Sequence, residues 1–173
     1  MADEERMLAF VQRFLKQAEE TIPRIARTVV ELEQASAGAD SLRQGYDSIA
    51  RDIHGLKGTA AMLALKGLAD LAHVMEDVVR AHQDASALLG SNSADGLLEA
   101  CDVFIESLRA HVAHRPAIGV DDLLQRLGQA ARDATRDAIT PGAAAPATPA
   151  SPRSRDDAPP SARAPHVVDT GWR

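Results

Sequence analysis

Apolar residues in this chain return every three or four positions for most of its length, and nowhere do they settle into strand-like alternation. The first stripe is Leu8, Val11, Leu15, Ala18, Ile22, Ile25, Val29 and Leu32; the second is Leu42, Tyr46, Ile49, Ile53, Leu56, Ala60 and Leu63. A third begins near Gly67 with Leu68, Leu71, Met75, Val78 and His82, and a fourth carries Leu97, Cys101, Phe104, Leu108 and Val112. A shorter fifth stretch, from Val120 to about Ala138, sets Leu123, Leu124 and Leu127 on one face. This is the period of amphipathic helices, each burying one stripe. Pro23 should kink or divide the first helix, because it lacks the N–H that the preceding turn needs. Gly90-Ser91-Asn92-Ser93 offers caps for the fourth helix, and Pro116 and Gly119 should close it. The connections are short, which makes neighbouring helices antiparallel. The pattern predicts an all-α fold: an up-down antiparallel four-helix bundle with an additional C-terminal helix packed outside it. With only 3% aromatic residues the core must be largely aliphatic.

The composition changes near the end of the fifth stretch. Residues 1–138 read as a folded domain, whereas 139–173 are dominated by proline, alanine, serine and arginine, with seven of the nine prolines past residue 140. Such a segment lacks the apolar surface needed to offset the entropy of ordering it, and is expected to be a flexible linker or tail. The formal charge is −6, and four arginines against three aspartates over 141–173 leave the preceding residues more acidic still. That balance argues against a nucleic-acid partner or an anionic membrane surface. The acidic start Met1-Ala2-Asp3-Glu4-Glu5 does not resemble a signal peptide, and no apolar run is long enough for membrane insertion. A cytoplasmic location is therefore expected.

Within the second stripe, the run Asp52-Ile53-His54-Gly55-Leu56-Lys57-Gly58-Thr59-Ala60 combines residue types that suit chemistry better than packing. His54 and Lys57 each follow a seam position and are rotated about 100° from it, toward solvent. Gly58 lies one turn beyond His54 on the same face. A glycine inside a helix costs roughly 1 kcal/mol relative to alanine, and two of them, Gly55 and Gly58, flank this histidine. Their missing side chains leave the imidazole open to another protein, while Lys57 offers positive charge to an anionic group on the ring. A nucleophilic histidine also needs its tautomer fixed, by a carboxylate that accepts the proton of one ring nitrogen. The third helix supplies Glu76, three residues after His73, on the shoulder that an antiparallel hairpin would turn toward His54.

These residues resemble the histidine phosphotransfer (HPt) domain, whose signature is a histidine followed by Leu/Ile-Lys-Gly-small-Ala. The likeness is greatest to the N-terminal HPt domain of CheA-type chemotaxis histidine kinases, where the next helix carries a His-x-Met-Glu segment, here His73-Val74-Met75-Glu76. The resemblance implies that His54 is the phosphoacceptor, Lys57 the phosphate-facing cation and Gly58 the clearance residue. It makes Glu76 the carboxylate bonded to the acceptor ring and His73 a nearby modulator. It further implies two partners, a histidine kinase catalytic domain and a CheY-like response-regulator receiver domain, and a monomeric HPt domain. The chain departs from the family at Ala64, where a glycine is usual near the helix end.

No glycine-rich phosphate loop is present, so the chain should bind no cofactor and turn over no ATP alone; ATP and Mg²⁺ belong to the kinase domain, and Mg²⁺ to the receiver. The histidines at 82, 111, 114 and 166 read as surface or edge residues, Cys101 as core, and no residues as metal ligands; His111 and His114 are three apart but lack a matching carboxylate pattern. Three functions stay open: the HPt domain of a CheA-like kinase, a free-standing HPt shuttle in a multistep relay, and a non-catalytic helical interaction module.

Overall fold

Among the described residues five α-helices follow in chain order: α1 (Ala2–Gln34), α2 (Ala39–Met62), α3 (Lys66–Asp84), α4 (Ser91–Val112) and α5 (Asp121–Ile139). The computed structural model describes residues 2–34 and 38–139, with no strand among them. The Pro/Ala-rich tail lies, from residue 140 on, outside the described residues.

Each stripe turns inward, with one shift of register. On α1 Phe14 is fully buried, while Leu15 beside it is only partly covered. The Phe14 ring meets Phe104 of α4 edge to face, with centroids 6.0 Å apart and planes at 85°. That geometry contributes about 0.5–1.5 kcal/mol beyond the area buried. Apart from Tyr46 of α2, the rest of the core is largely aliphatic: Ile25 and Val29 from α1, Ile49, Ile53 and Leu56 from α2, Leu71 and Met75 from α3, Leu97 and Leu108 from α4. The fifth helix lies along α3 and α4, and closes the core with Leu123 and Leu127.

Side-chain pairs between helices show the alternation of direction. Arg24 of α1 grips Asp52 of α2 through two hydrogen bonds of 2.7 and 2.8 Å. Nearer the end of α1, Leu32 lies so close to Gly45 that an added Cβ would stand 2.9 Å from its Cδ2. Gln83, late in α3, reaches Asp47, early in α2. The Tyr46 hydroxyl donates to the Ala87 carbonyl, tying α2 to the connection after α3. Arg126 of α5 bonds Glu99 of α4 at 2.7 Å.

Pro23 and the ends of α4 refine the sequence reading. α1 runs through Pro23 undivided. The ring is on the exposed side, where water can satisfy the carbonyl that loses its helical partner. Gly90 is the N-cap of α4, with no side-chain capping bond, and Ser93 points into the protein instead. That helix ends at Val112, before Pro116, when His114 enters the left-handed region at φ 53°. Helices α2 and α3 stop the same way, at Ala64 (φ 57°) and Ser86 (φ 49°). In each case the next residue bonds five back (Leu65 N–H to Ala60, Ala87 to His82, Arg115 to Ala110), the Schellman closure in which glycine is the usual left-handed residue.

Candidate functional site

The site forms where α2 and α3 run side by side, around a carboxylate that neither helix would bury alone. Glu76 keeps only 7% of its side-chain surface exposed. A charge so placed needs compensation, and three donors supply it. Lys57 donates to Oε2, while His54 Nδ1 at 3.3 Å and Arg80 Nη2 at 3.1 Å converge on Oε1. Burial pushes the Glu76 carboxyl up. The hydrogen bonds from Lys57 and His54, with the charges of Lys57 and Arg80, outweigh that and hold it below the usual carboxylate range. Glu76 is therefore ionised at neutral pH and can only accept.

The tautomer of His54 follows from that. Facing an acceptor, Nδ1 must carry the proton, which leaves the lone pair of a neutral ring on Nε2. The side chain is 70% exposed, so this nitrogen is open to a partner. Lys57, 27% exposed, stands beside it with its charge shared between Glu76 and solvent. An added Cβ at Gly55 or Gly58 would meet nothing within 4 Å, and neither residue adopts a positive φ. Nothing among the described residues requires glycine at either place; what the two residues leave is open surface around the ring.

The structure thus brings together His54, Lys57 and Glu76, with Gly58 beside them. His73 stands apart. It is 60% exposed and pairs with Asp77 at 3.7 Å along its own helix, with no bond to His54 or Glu76. Arg80 joins the cluster although its sequence position carried no signal. An arginine four residues after a glutamate reads as an ordinary pair on a helix surface, and gains meaning only once α2 is seen to bury that glutamate.

Of the remaining histidines, His82 corrects its sequence reading as a surface or edge residue. It is buried, with Nε2 3.0 Å from Ser93 Oγ and a further hydrogen bond to the Leu88 backbone. His111 and His114 are exposed at the end of α4, and His166 lies outside the described residues. Cys101 is in the core, where burial and the neighbouring Asp102 push its thiol up to about 12. Among the described residues no three His, Cys, Asp or Glu side chains gather as metal ligands would, and no helix is long and apolar enough to cross a membrane.

An imidazole with a fixed tautomer, open surface and an adjacent cation, carried on a helical bundle, defines a class of protein: the chain belongs to the Hpt domain family, whose pattern matches residues 9–130. Among individual proteins it is 33% identical over 95 residues to a gliding motility regulatory protein of Myxococcus xanthus. It is 28% identical over 117 residues to the chemotaxis protein CheA of Borreliella burgdorferi. Those matches cover 55% and 67% of this chain but only 12% and 13% of the two relatives, so the chain spans a small part of their length. In fold it is similar to the phosphorylated P1 domain of a CheA protein from R. sphaeroides, crystallised in complex with a CheY protein. The TM-score is 0.62 at 19% identity, over 73% of this chain and 98% of that one.

Proposed function

We propose that this domain is a phosphotransfer module of chemotaxis-type two-component signalling, and that His54 carries the phosphoryl group. The observation that carries the proposal is the hydrogen bond from His54 Nδ1 to the buried Glu76 carboxylate, on a ring whose other nitrogen is open. The Nε2 lone pair attacks the γ-phosphorus of ATP held by a histidine kinase domain. The N–P bond forms as the P–O bond to ADP breaks, and ADP leaves with that electron pair. In the second transfer an aspartate oxygen of a CheY-like receiver attacks phosphorus, and the electrons of the N–P bond return to Nε2. Mg²⁺ on the kinase and on the receiver supplies most of the charge stabilisation, while this chain contributes position, tautomer and the Lys57 cation. His73 sits at the edge of this surface as a modulator.

The similarity to chemotaxis proteins CheA favours a CheA-like kinase over a free-standing shuttle as its setting. The compartment this implies is the cytoplasm. The test is incubation with a CheA-type kinase domain and ATP labelled in the γ-phosphate. The wild type should acquire a label stable in base and labile in acid, which chases onto a receiver, and His54→Gln should acquire none. Equal labelling of the two proteins would refute the assignment.

A further inference from the structure

We propose that Arg80 is a positioning residue for His54, acting through Glu76. Its guanidinium shares Oε1 with the ring and keeps the imidazole neutral, with Nε2 free, in more acidic solution than Lys57 alone would allow. The functional consequence rests on the phosphotransfer reading above; the electrostatic claim stands without it.

Glu76 holds one negative charge and meets two permanent cations, Lys57 on Oε2 and Arg80 on Oε1. With a neutral ring the cluster has a net charge of +1, and protonating His54 would add a second positive charge against the same carboxylate oxygen. Had Arg80 been absent, Lys57 and Glu76 would balance, and imidazolium would form beside a neutral pair. Other charged groups near the ring bond elsewhere. On the α1 side Arg24 is held by Asp52, on α3 His73 is paired with Asp77, and on α2 Arg51, one turn before His54, donates to the Asp47 carbonyl. Arg80 is the cation bonded to the carboxylate oxygen that the ring shares.

The same excess works in the opposite direction on the product. A phosphoryl group on Nε2 brings about two negative charges, which the extra cation partly offsets. One side chain thus disfavours the form of His54 that cannot attack and favours the form that has reacted. Arg80 is 60% exposed, so solvent screens part of its charge.

The test compares wild type, Arg80→Met, which keeps the stem, and Arg80→Lys, which keeps the charge. The His54 ring is titrated by NMR in the unphosphorylated protein, with no kinase present. Labelling rate against pH is then measured with the kinase. In Arg80→Met the NMR midpoint and the acid limb of the labelling profile should both move to higher pH, and Arg80→Lys should return both toward wild type. Superimposable NMR curves for wild type and Arg80→Met, or an unrestored Arg80→Lys, would overturn the role of Arg80. A shifted NMR curve supports it even if no protein is labelled, a result that would refute the phosphotransfer reading alone.

Discussion

Glu76 is the residue on which the site depends, because it settles the tautomer of His54 and neutralises part of two cations. Glu76→Gln retains the shape but not the charge. The amide can present an NH₂ as readily as a carbonyl to Nδ1, and Lys57 and Arg80 are left facing each other. Loss of a charge-assisted hydrogen bond of about 1.5–3 kcal/mol should slow kinase labelling by roughly tenfold to a hundredfold, while circular dichroism stays helical. The same substitution has a pH signature in stability. The native carboxyl is held below its ordinary value of 4.5, so the unfolded chain takes up the proton first on acidification. The stabilising contribution is complete above that value and is lost as pH falls through the native one. Wild type should therefore melt above Glu76→Gln at pH 7, and the gap should narrow below about pH 4. A gap that persists unchanged in acid would remove the ionised carboxylate as its cause.

At the scale of the element, α2 has glycine where a helix former would serve the bundle better, and alanine where glycine would. Gly58 sits mid-helix with open space around the missing side chain, whereas Ala64 takes φ 57° at the helix end. Gly58→Ala should raise stability by about 0.5–1 kcal/mol, and Ala64→Gly by a similar amount through relief of the left-handed strain. Both are read from urea unfolding. Only Gly58→Ala should slow labelling and receiver chase, since its added methyl occupies the surface a partner must approach. If it leaves both rates unchanged, access is not the reason for that glycine. How much could be read beforehand also divides by element. The stripes foretold five helices because apolar period is a property of each segment alone, and they foretold the His54 shoulder because the rotation from Ile53 is fixed by helix geometry. Glu76 followed from the hairpin that joins its helix to α2. What escaped depends on contacts between segments: Phe14 taking the place of Leu15 opposite Phe104, and Arg80 reaching a carboxylate buried by another helix. Pro23 left a kink and a break open, because the cost of a missing N–H depends on whether water reaches the freed carbonyl, which only the packed structure decides.

For the molecule as a whole, the end of the bundle beyond the site is closed by a buried histidine that takes no part in the chemistry. His82 of α3 bonds Ser93 at the start of α4 and the Leu88 backbone between them. Asp95 of α4 and Arg126 and Asp133 of α5 line the same side of the fold. Burial holds its imidazole below the ordinary value of 6.5, and the hydrogen bond to Leu88 only partly opposes this. The unfolded chain thus binds a proton that the native state resists, and stability must decline as pH falls below about 6.5, by at most ~1.4 kcal/mol per pH unit for one group. This window lies above that of Glu76, so acid should weaken the fold in two stages, first at the α3–α4 connection and then at the α2–α3 site. His82→Gln keeps a hydrogen-bonding side chain without the titration. Thermal melts between pH 7 and 5 should show a flatter dependence for this variant than for wild type, with the two proteins still sharing the fall below about pH 4. Parallel curves throughout would mean that His82 takes up its proton alike in the native and the unfolded chain, and that the acid response belongs to the carboxylates alone.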